Sequence, residues 1–170
     1  AGRETNEGAV AAFVSEDSKT GALLELSCET DFVGSNAKFT GFATNVAEVV
    51  ATTEPADLDA LLAAPMNGAT VSEELTEMIH VMGENMKIAR FAARKVEAGA
   101  LSTYIHMGGK IGVMVEFAFE KPETASADAF KTFAHDVALQ VAAAAPSVPP
   151  VSRSRQRPLP REGDLHRSGC

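Results

Sequence analysis

The chain has 170 residues, enough for one ordinary domain or two small ones, and 45% of them are hydrophobic, so it can bury a core. Its net charge is −8: residues 1–146 hold 10 basic and 21 acidic side chains, whereas residues 147–170 hold five arginines and two acids. This acidic body excludes proteins that bind nucleic acid through a broad basic face, because phosphate contacts need clustered Lys and Arg.

The cysteine content indicates the redox compartment, and the hydropathy bears on whether the chain spans a membrane. The two cysteines, Cys28 and Cys170, do not suggest a disulfide framework, so we expect a reducing compartment. No apolar stretch approaches 18 residues, and we expect no membrane segment. The first residues have neither an initiator Met nor the pattern of a signal peptide, so we expect a piece of a longer chain.

The first fifty residues predict two strands followed by a helix. Residues 8–14 form a strand, residues 15–20 a hairpin loop, and residues 22–28 a second strand with alternate apolar side chains. Ser35 or Asn36 can cap the helix. Its apolar side chains recur every three or four positions, at Phe39, Phe42, Ala43, Val46 and Val50.

An all-helical insert is expected at about residues 53–83. Pro55 suits the first turn of a short helix, which Pro65 and Gly68 end. The next helix begins with a capping box, Thr70 with Glu73, and ends at Gly83. Residues 85–96 then predict a strand that joins this part of the chain to the next.

A second unit and a tail complete the chain. Residues 100–105 and 111–119 predict strands around a turn at residues 107–109, and a helix follows from about 127 to 145. The tail, residues 147–170, is rich in Pro and Arg without hydrophobic periodicity, and its composition predicts disorder.

The two units are copies of one another. Residues 8–51 align with residues 99–142 at a constant offset of 91 and without a gap, so that Gly21, for example, corresponds to Gly112. Such repetition indicates one supersecondary unit used twice. The copies differ most at residues 30–33, where the first copy has a sequence that folding of the second does not require.

The predicted fold is therefore α+β, with two related subdomains packed side by side. Each is an antiparallel, hairpin-based sheet covered by a helix, and the helical insert lies between the repeats. We expect an N-terminal core subdomain over residues 1–97, a partial C-terminal core subdomain over 98–146, and a disordered tail over 147–170 that belongs to neither.

Several stretches resemble signature segments of the elongation factor Ts family, the guanine-nucleotide exchange factors for elongation factor Tu in bacteria and organelles. They are residues 1–3 with 8–10, 25–33, 83–90, and 104–106 with 110–113. The resemblance covers roughly residues 1–153, and segments of this length in the right order rarely agree by chance. It implies a core of two related α+β subdomains, as the repeat does.

The resemblance also implies a binding site for elongation factor Tu. In the family an Asp-Phe pair pushes between two helices of the GTPase domain, near its magnesium and phosphate sites, and further residues lie beside this wedge. The matching positions are Thr30, Asp31, Phe32, Val33, Met82, Gly83 and His106. The mechanism implied is exchange by protein–protein contact in the cytoplasm or an organelle matrix, with no enzyme chemistry, cofactor, metal or nucleic acid.

The same residues admit structural roles. Phe32 precedes a helix and could staple against Phe39 or its neighbour, and Asp31 could be an acid in a first helical turn. Met82 could be a core residue, Gly83 a helix C-cap, and His106 a packed side chain at a hairpin end. The four histidines do not have metal-ligand spacing.

Two alternative functions stay open at this point. A thiol enzyme would use Cys28 as its nucleophile, supported by Asp31 and His106, and would need an exposed thiol with a lowered pKa. An interaction or scaffold fragment would bind without exchange activity. The latter is relevant because the helical domain that precedes residue 1 in the family is not in this sequence. Residues 154–170 also do not resemble the family, and their bias suggests translation in a wrong reading frame.

Overall fold

The computed structural model describes residues 3–118 and 128–144. In chain order the elements are β1 (Glu7–Val14), β2 (Thr20–Cys28), α1 (Asp31–Gly34), α2 (Ala37–Thr53), α3 (Leu58–Ala63), β3 (Pro65–Met66), β4 (Ala69–Thr70), α4 (Val71–Met82), β5 (Lys87–Lys95), β6 (Gly99–His106), β7 (Ile111–Ala118) and α5 (Asp128–Ala144). This mixture of antiparallel sheets and helices confirms the predicted α+β class. None of the helices in this part of the chain is long and apolar enough to cross a membrane.

The first unit is a three-stranded antiparallel sheet in the order β1-β2-β5. Alternate side chains of the central strand β2 point to one face because side chains in a strand have a period of two. All four side chains predicted on that face are fully buried: Ala22, Leu24, Leu26 and Cys28. Strand β5 pairs along the other edge of β2, so the connecting strand expected after the insert belongs to the first unit.

Helix α2 covers this sheet. Asn36 is its N-cap, and its side-chain oxygen accepts a hydrogen bond from the Lys38 N–H at 2.9 Å. The apolar stripe predicted from its spacing is buried, and Phe39 in the first turn is inaccessible to solvent. Burial of a Phe side chain contributes about 1.5–3 kcal/mol, so the stripe fixes α2 on the sheet.

The insert differs from the prediction at two places. Its first helix starts at Leu58 and not at Pro55, because the Asp57 carboxylate accepts a hydrogen bond from the Ala60 N–H at 2.8 Å and caps it there. The insert is also not all-helical: β3 and β4 form a short hairpin. Asn67 and Gly68 both have positive φ, 52° and 80°, which is the backbone of a two-residue hairpin turn.

The second helix of the insert, α4, follows the sequence prediction closely. Thr70 and Glu73 form the reciprocal capping box. Gly83 ends the helix in the left-handed conformation with φ 72°. Residues 107–109 likewise form the predicted turn between β6 and β7, with positive φ at Met107, Gly108 and Gly109.

The second unit consists of the β6–β7 hairpin and α5. The helix packs on both strands, with Ala134 and Ala138 buried. The hairpin and covering helix of the first unit, β1, β2 and α2, thus recur in the second as β6, β7 and α5, as the repeat predicts, whereas β5 has no counterpart among the described residues. The division between them at residues 97 and 98 falls between β5 and β6 and stays a prediction, as do the outer limits.

The two units meet through contacts that the repeat relates to each other. The Val10 N–H donates a hydrogen bond to the Gly109 carbonyl at 2.7 Å, and the Leu101 N–H donates one to the Ser18 carbonyl, also at 2.7 Å. Adding 91 to Val10 and Ser18 gives Leu101 and Gly109. The two bonds are therefore equivalent, as they are at a two-fold interface where the same patch is used on both sides.

The close approach of the two sheets follows the same symmetry. A Cβ on Gly112 would lie 2.4 Å from Val10 Cγ1, and a Cβ on its equivalent Gly21 would lie 3.0 Å from Met114 Sδ. Each of these two glycines faces the same pair of repeat positions in the other unit: Val10 and Leu23 for Gly112, Leu101 and Met114 for Gly21. The missing side chains allow the hairpins to pack in contact.

Candidate partner-binding site

The predicted anchor, Phe32, lies on the surface. It is in the single turn α1, and 84% of its surface is exposed. The next residue, Val33, is buried in the core instead. Phe39 is fully buried on the side of α2 that faces the sheet. The alternative in which Phe32 staples against Phe39 is therefore wrong, because Val33 supplies the buried contact of this turn.

The turn has a defined backbone. Thr30 is its N-cap, and its hydroxyl accepts a hydrogen bond from the Val33 N–H at 3.4 Å. Ser35 closes the other end, where its hydroxyl donates to the Asp31 carbonyl at 2.6 Å. Gly34 lies directly against β1, since a Cβ there would be 3.3 Å from the Gly8 carbonyl oxygen. The Asp31 and Phe32 side chains consequently project from a turn whose backbone is held by the Thr30 cap, by the Ser35 hydroxyl and by the contact of Gly34 with β1.

Glu84 joins this turn to the end of α4. Its carboxylate accepts hydrogen bonds from the backbone N–H groups of Glu29, at 3.1 Å, and Thr30, at 3.0 Å, and from the Thr30 hydroxyl. Because Glu84 directly follows Met82 and Gly83, these two predicted site residues come close to the Thr30 loop. Gly83 is exposed, whereas Met82 is half-buried against the core.

Glu29 makes the opposite connection. Its carboxylate accepts a hydrogen bond from the Asn85 N–H at 2.8 Å, and it pairs with the Arg3 guanidinium at 3.3 Å. Its side chain is only 14% exposed. The loop after β2 and the loop after α4 therefore each place a glutamate on the backbone of the other.

His106 is held by a different part of the fold. It ends β6, and its ring lies 5.8 Å from that of Tyr104. Among the described residues it has no hydrogen bond or ion pair to the Thr30 loop. The turn that follows does reach the first unit: Lys110 Nζ lies 2.9 Å from a Glu7 carboxylate oxygen. That hydrogen bond, with smaller contributions that include the Asp31 charge, raises the pKa of Lys110.

The family model described as Elongation factor TS matches residues 29–162. This chain belongs to the elongation factor Ts family. The matched range includes all seven predicted site residues. It also runs into the tail at residues 147–162, so the expectation that the chain departs from the family after residue 153 is wrong for residues 154–162. The tail lies outside the described residues, and the domain limit expected at residue 146 stays a prediction.

Curated relatives support the same assignment. Elongation factor Ts of Clostridium perfringens (strain SM101 / Type A) is 44% identical over 169 residues, which are 99% of this chain and 54% of the relative. That of Trichlorobacter lovleyi is 46% identical over 149 residues, covering 86% and 48%. That of Cupriavidus taiwanensis is 48% identical over 146 residues, covering 86% and 45%. The chain spans about half the length of these curated relatives.

The site does not support cysteine chemistry. Cys28 is fully buried in β2, and its thiol donates a hydrogen bond to the Thr30 carbonyl at 3.1 Å. Burial, and then the negative charge of Glu84, raises its pKa, whereas a nucleophilic cysteine needs a lowered pKa and access to substrate. The thiol-enzyme alternative is therefore wrong for this member of the elongation factor Ts family. The described residues also contain no cluster of three potential metal ligands.

Sequence reasoning did not identify Glu29, Glu84 or Asn85 as part of the site. Glu29 and Glu84 are 55 positions apart, and neither has a periodicity that predicts a long-range hydrogen bond. The available signal was their position inside the two segments, 25–33 and 83–90, that resemble the family.

Proposed function

We propose that this chain is a guanine-nucleotide exchange factor that promotes GDP release from elongation factor Tu, with Phe32 as the anchor that enters the GTPase. The observation that carries the proposal is the exposure of Phe32 on a turn whose neighbours are buried and hydrogen-bonded. An aromatic ring of this size, left in water by its own fold, fits an interface in which the ring becomes buried.

The mechanism needs no covalent step. A factor that binds the nucleotide-free GTPase more tightly than the GDP-bound form must weaken GDP binding by the same ratio, because the coupling is reciprocal. Insertion of Phe32 between two helices near the magnesium and phosphate sites supplies such a difference in affinity. The adjacent carboxylate of Asp31, which is exposed, enters the same region and adds a negative charge close to the phosphates.

The other residues of the proposed site have supporting positions. Thr30 caps the start of the turn, and Val33 packs its inner side into the core. Met82 and Gly83 lie beside it through Glu84, and His106 contributes from the hairpin tip of the second unit. We place the activity in the bacterial cytoplasm or an organelle matrix, where elongation factor Tu works, and assign the binding surface to the core subdomains at residues 1–97 and 98–146.

The test is GDP release from elongation factor Tu carrying a fluorescent GDP, measured with the full chain and with Phe32→Ala. A central aromatic anchor contributes about 2–4 kcal/mol, so we expect apparent affinity for the GTPase to fall by a factor between about 30 and 1,000. Thermal unfolding should barely change, because substitutions of exposed side chains stay within about 0.5 kcal/mol.

Phe133→Ala is the matched control. Phe133 is also an exposed ring, 58% accessible, but it lies on α5 of the second unit. Exchange that is lost in Phe32→Ala and kept in Phe133→Ala supports the proposal. Equal exchange rates for Phe32→Ala and the unchanged chain would contradict it.

An interaction fragment without exchange activity is the second candidate. It is favoured by the length of the chain, which covers only about half of its relatives. A pull-down with nucleotide-free elongation factor Tu, run beside the GDP-release assay, separates the two functions. Binding without faster GDP release identifies the interaction fragment.

A further inference from the structure

The loops after β2 and after α4 are joined by two glutamates in a reciprocal arrangement, which we call the Glu29–Glu84 clamp. Glu84 accepts two backbone N–H groups and one hydroxyl from the first loop, and Glu29 accepts one backbone N–H from the second. The Asn85 side chain adds a hydrogen bond to the Arg3 carbonyl at 3.2 Å. Within the described residues, the hydrogen bonds accepted by Glu84 and Glu29 are the direct polar links between the two loops.

The clamp sets the orientation of the Thr30 hydroxyl. Because that hydroxyl donates its proton to Glu84, a lone pair is left to accept the Val33 N–H. The hydroxyl is thus the link between the Glu84 carboxylate and the turn that carries Phe32. Because the Thr30 hydroxyl has a single proton, its hydrogen bond to Glu84 determines where its lone pairs point.

We propose that Glu84, assisted by Glu29, is a positioning residue that fixes the Phe32 turn in the conformation that enters the GTPase. The inference rests on the proposed function of Phe32. Phe32 itself makes little contact with the protein, so its direction depends on the backbone of α1. A turn that is already ordered before binding does not lose that conformational freedom on association.

This role predicts a specific kinetic change. In Glu84→Ala the anchor is chemically intact but its turn is loosened, so the concentration giving half-maximal GDP release should rise on the order of tenfold, the effect of ordering about one residue. The maximal release rate should stay close to that of the unchanged chain, because the same ring occupies the same place once bound.

Glu84→Gln is the matched control. Its amide oxygen can accept the two backbone N–H groups, and its amide nitrogen can donate to the Thr30 oxygen. The half-maximal concentration of this variant should stay within about twofold of that of the unchanged chain, because the hydrogen bonds are kept and only the charge is lost.

The double variant Glu84→Ala/Phe32→Ala distinguishes positioning from general destabilisation. If Glu84 acts mainly through Phe32, removing the carboxylate from a chain that already lacks the ring should have only a small further effect on release, through Asp31 on the same turn. A full tenfold loss in both backgrounds overturns the proposal, and so does a Glu84→Ala variant as active as the unchanged chain.

A second variant, Thr30→Val, tests the same connection without changing Glu84. If Glu84→Ala fails to fold, Thr30→Val cuts the same connection at the hydroxyl while the two backbone bonds to Glu84 remain, and it should raise the half-maximal concentration in the same way. An unchanged half-maximal concentration in Thr30→Val overturns the proposal. The proposed function fails if Phe32→Ala exchanges normally, whereas a defective Phe32→Ala beside a normal Glu84→Ala refutes the positioning role alone.

Discussion

The substitution Gly112→Ala tests the symmetric packing of the two units. The new methyl group would lie 2.4 Å from Val10 Cγ1, far inside normal van der Waals contact. Val10 is branched at Cβ and has few alternative rotamers, so either its strand or β7 must shift. Overpacking of this kind costs about 1–3 kcal/mol, and relief of the glycine penalty in a strand returns roughly 0.5–1 kcal/mol. From the midpoints of these ranges we expect a net loss of about 1 kcal/mol.

The assay is urea unfolding of the full chain followed by circular dichroism, with Gly41→Ala as the control. Gly41 lies inside α2, and a Cβ there meets no atom within 4 Å, so this variant should gain about 1 kcal/mol. Gly21→Ala should lose less than Gly112→Ala, because its nearest neighbour is the flexible Met114 side chain. A Gly112→Ala chain as stable as the unchanged chain would refute the close packing of the hairpins.

Two further predictions concern stability. Since burial raises the pKa of Cys28 above its ordinary value of 9.0, the unfolded chain loses the thiol proton first as pH rises. Stability should therefore fall above about pH 9 and fall less steeply in Cys28→Ala, as urea midpoints at pH 8 and pH 10 would reveal; parallel pH dependence in both chains would contradict this. Thr70→Ala removes the hydroxyl of the α4 capping box and should cost about 1 kcal/mol in urea unfolding. The neighbouring exposed Ser72→Ala is its control, and equal midpoints for the two variants would show that the cap contributes nothing.

Local sequence signals predicted most of the first unit. The three- and four-residue spacing from Phe39 to Val50 gave α2, and the alternation in β2 gave its buried face, because each pattern has one geometric solution. Thr70 with Glu73 and Gly83 gave both ends of α4 for the same reason. These features depend only on residues a few positions apart in the chain, so the sequence alone is enough to predict them.

The features that could not be predicted depend on competition between two possible helix starts, on strands too short to recognise, or on residues far apart in the chain. Asp57 caps α3 although Pro55 is also suited to a helix start, and periodicity does not decide between them. Asn67 and Gly68 form a hairpin turn, but each flanking strand has two residues. A strand of that length is too short to show an alternation of apolar and polar side chains. The hydrogen bonds that Thr30 donates to Glu84 cross 54 positions, so they become apparent only once both loops are placed.

The symmetry between the units gives a physical reason to separate the function of this chain from its stability. The positions through which the units pack correspond across the offset of 91, as Val10 does with Leu101, so a change in one affects an interface that both copies build. The Thr30–Val33 loop does not take part in that correspondence, because residues 121–124 have a different sequence. Phe32 is thus free of the constraints that the repeat places on its neighbours. A residue in this position can be selected for what it contacts in another protein, and its substitution is expected to alter exchange while the scaffold remains folded.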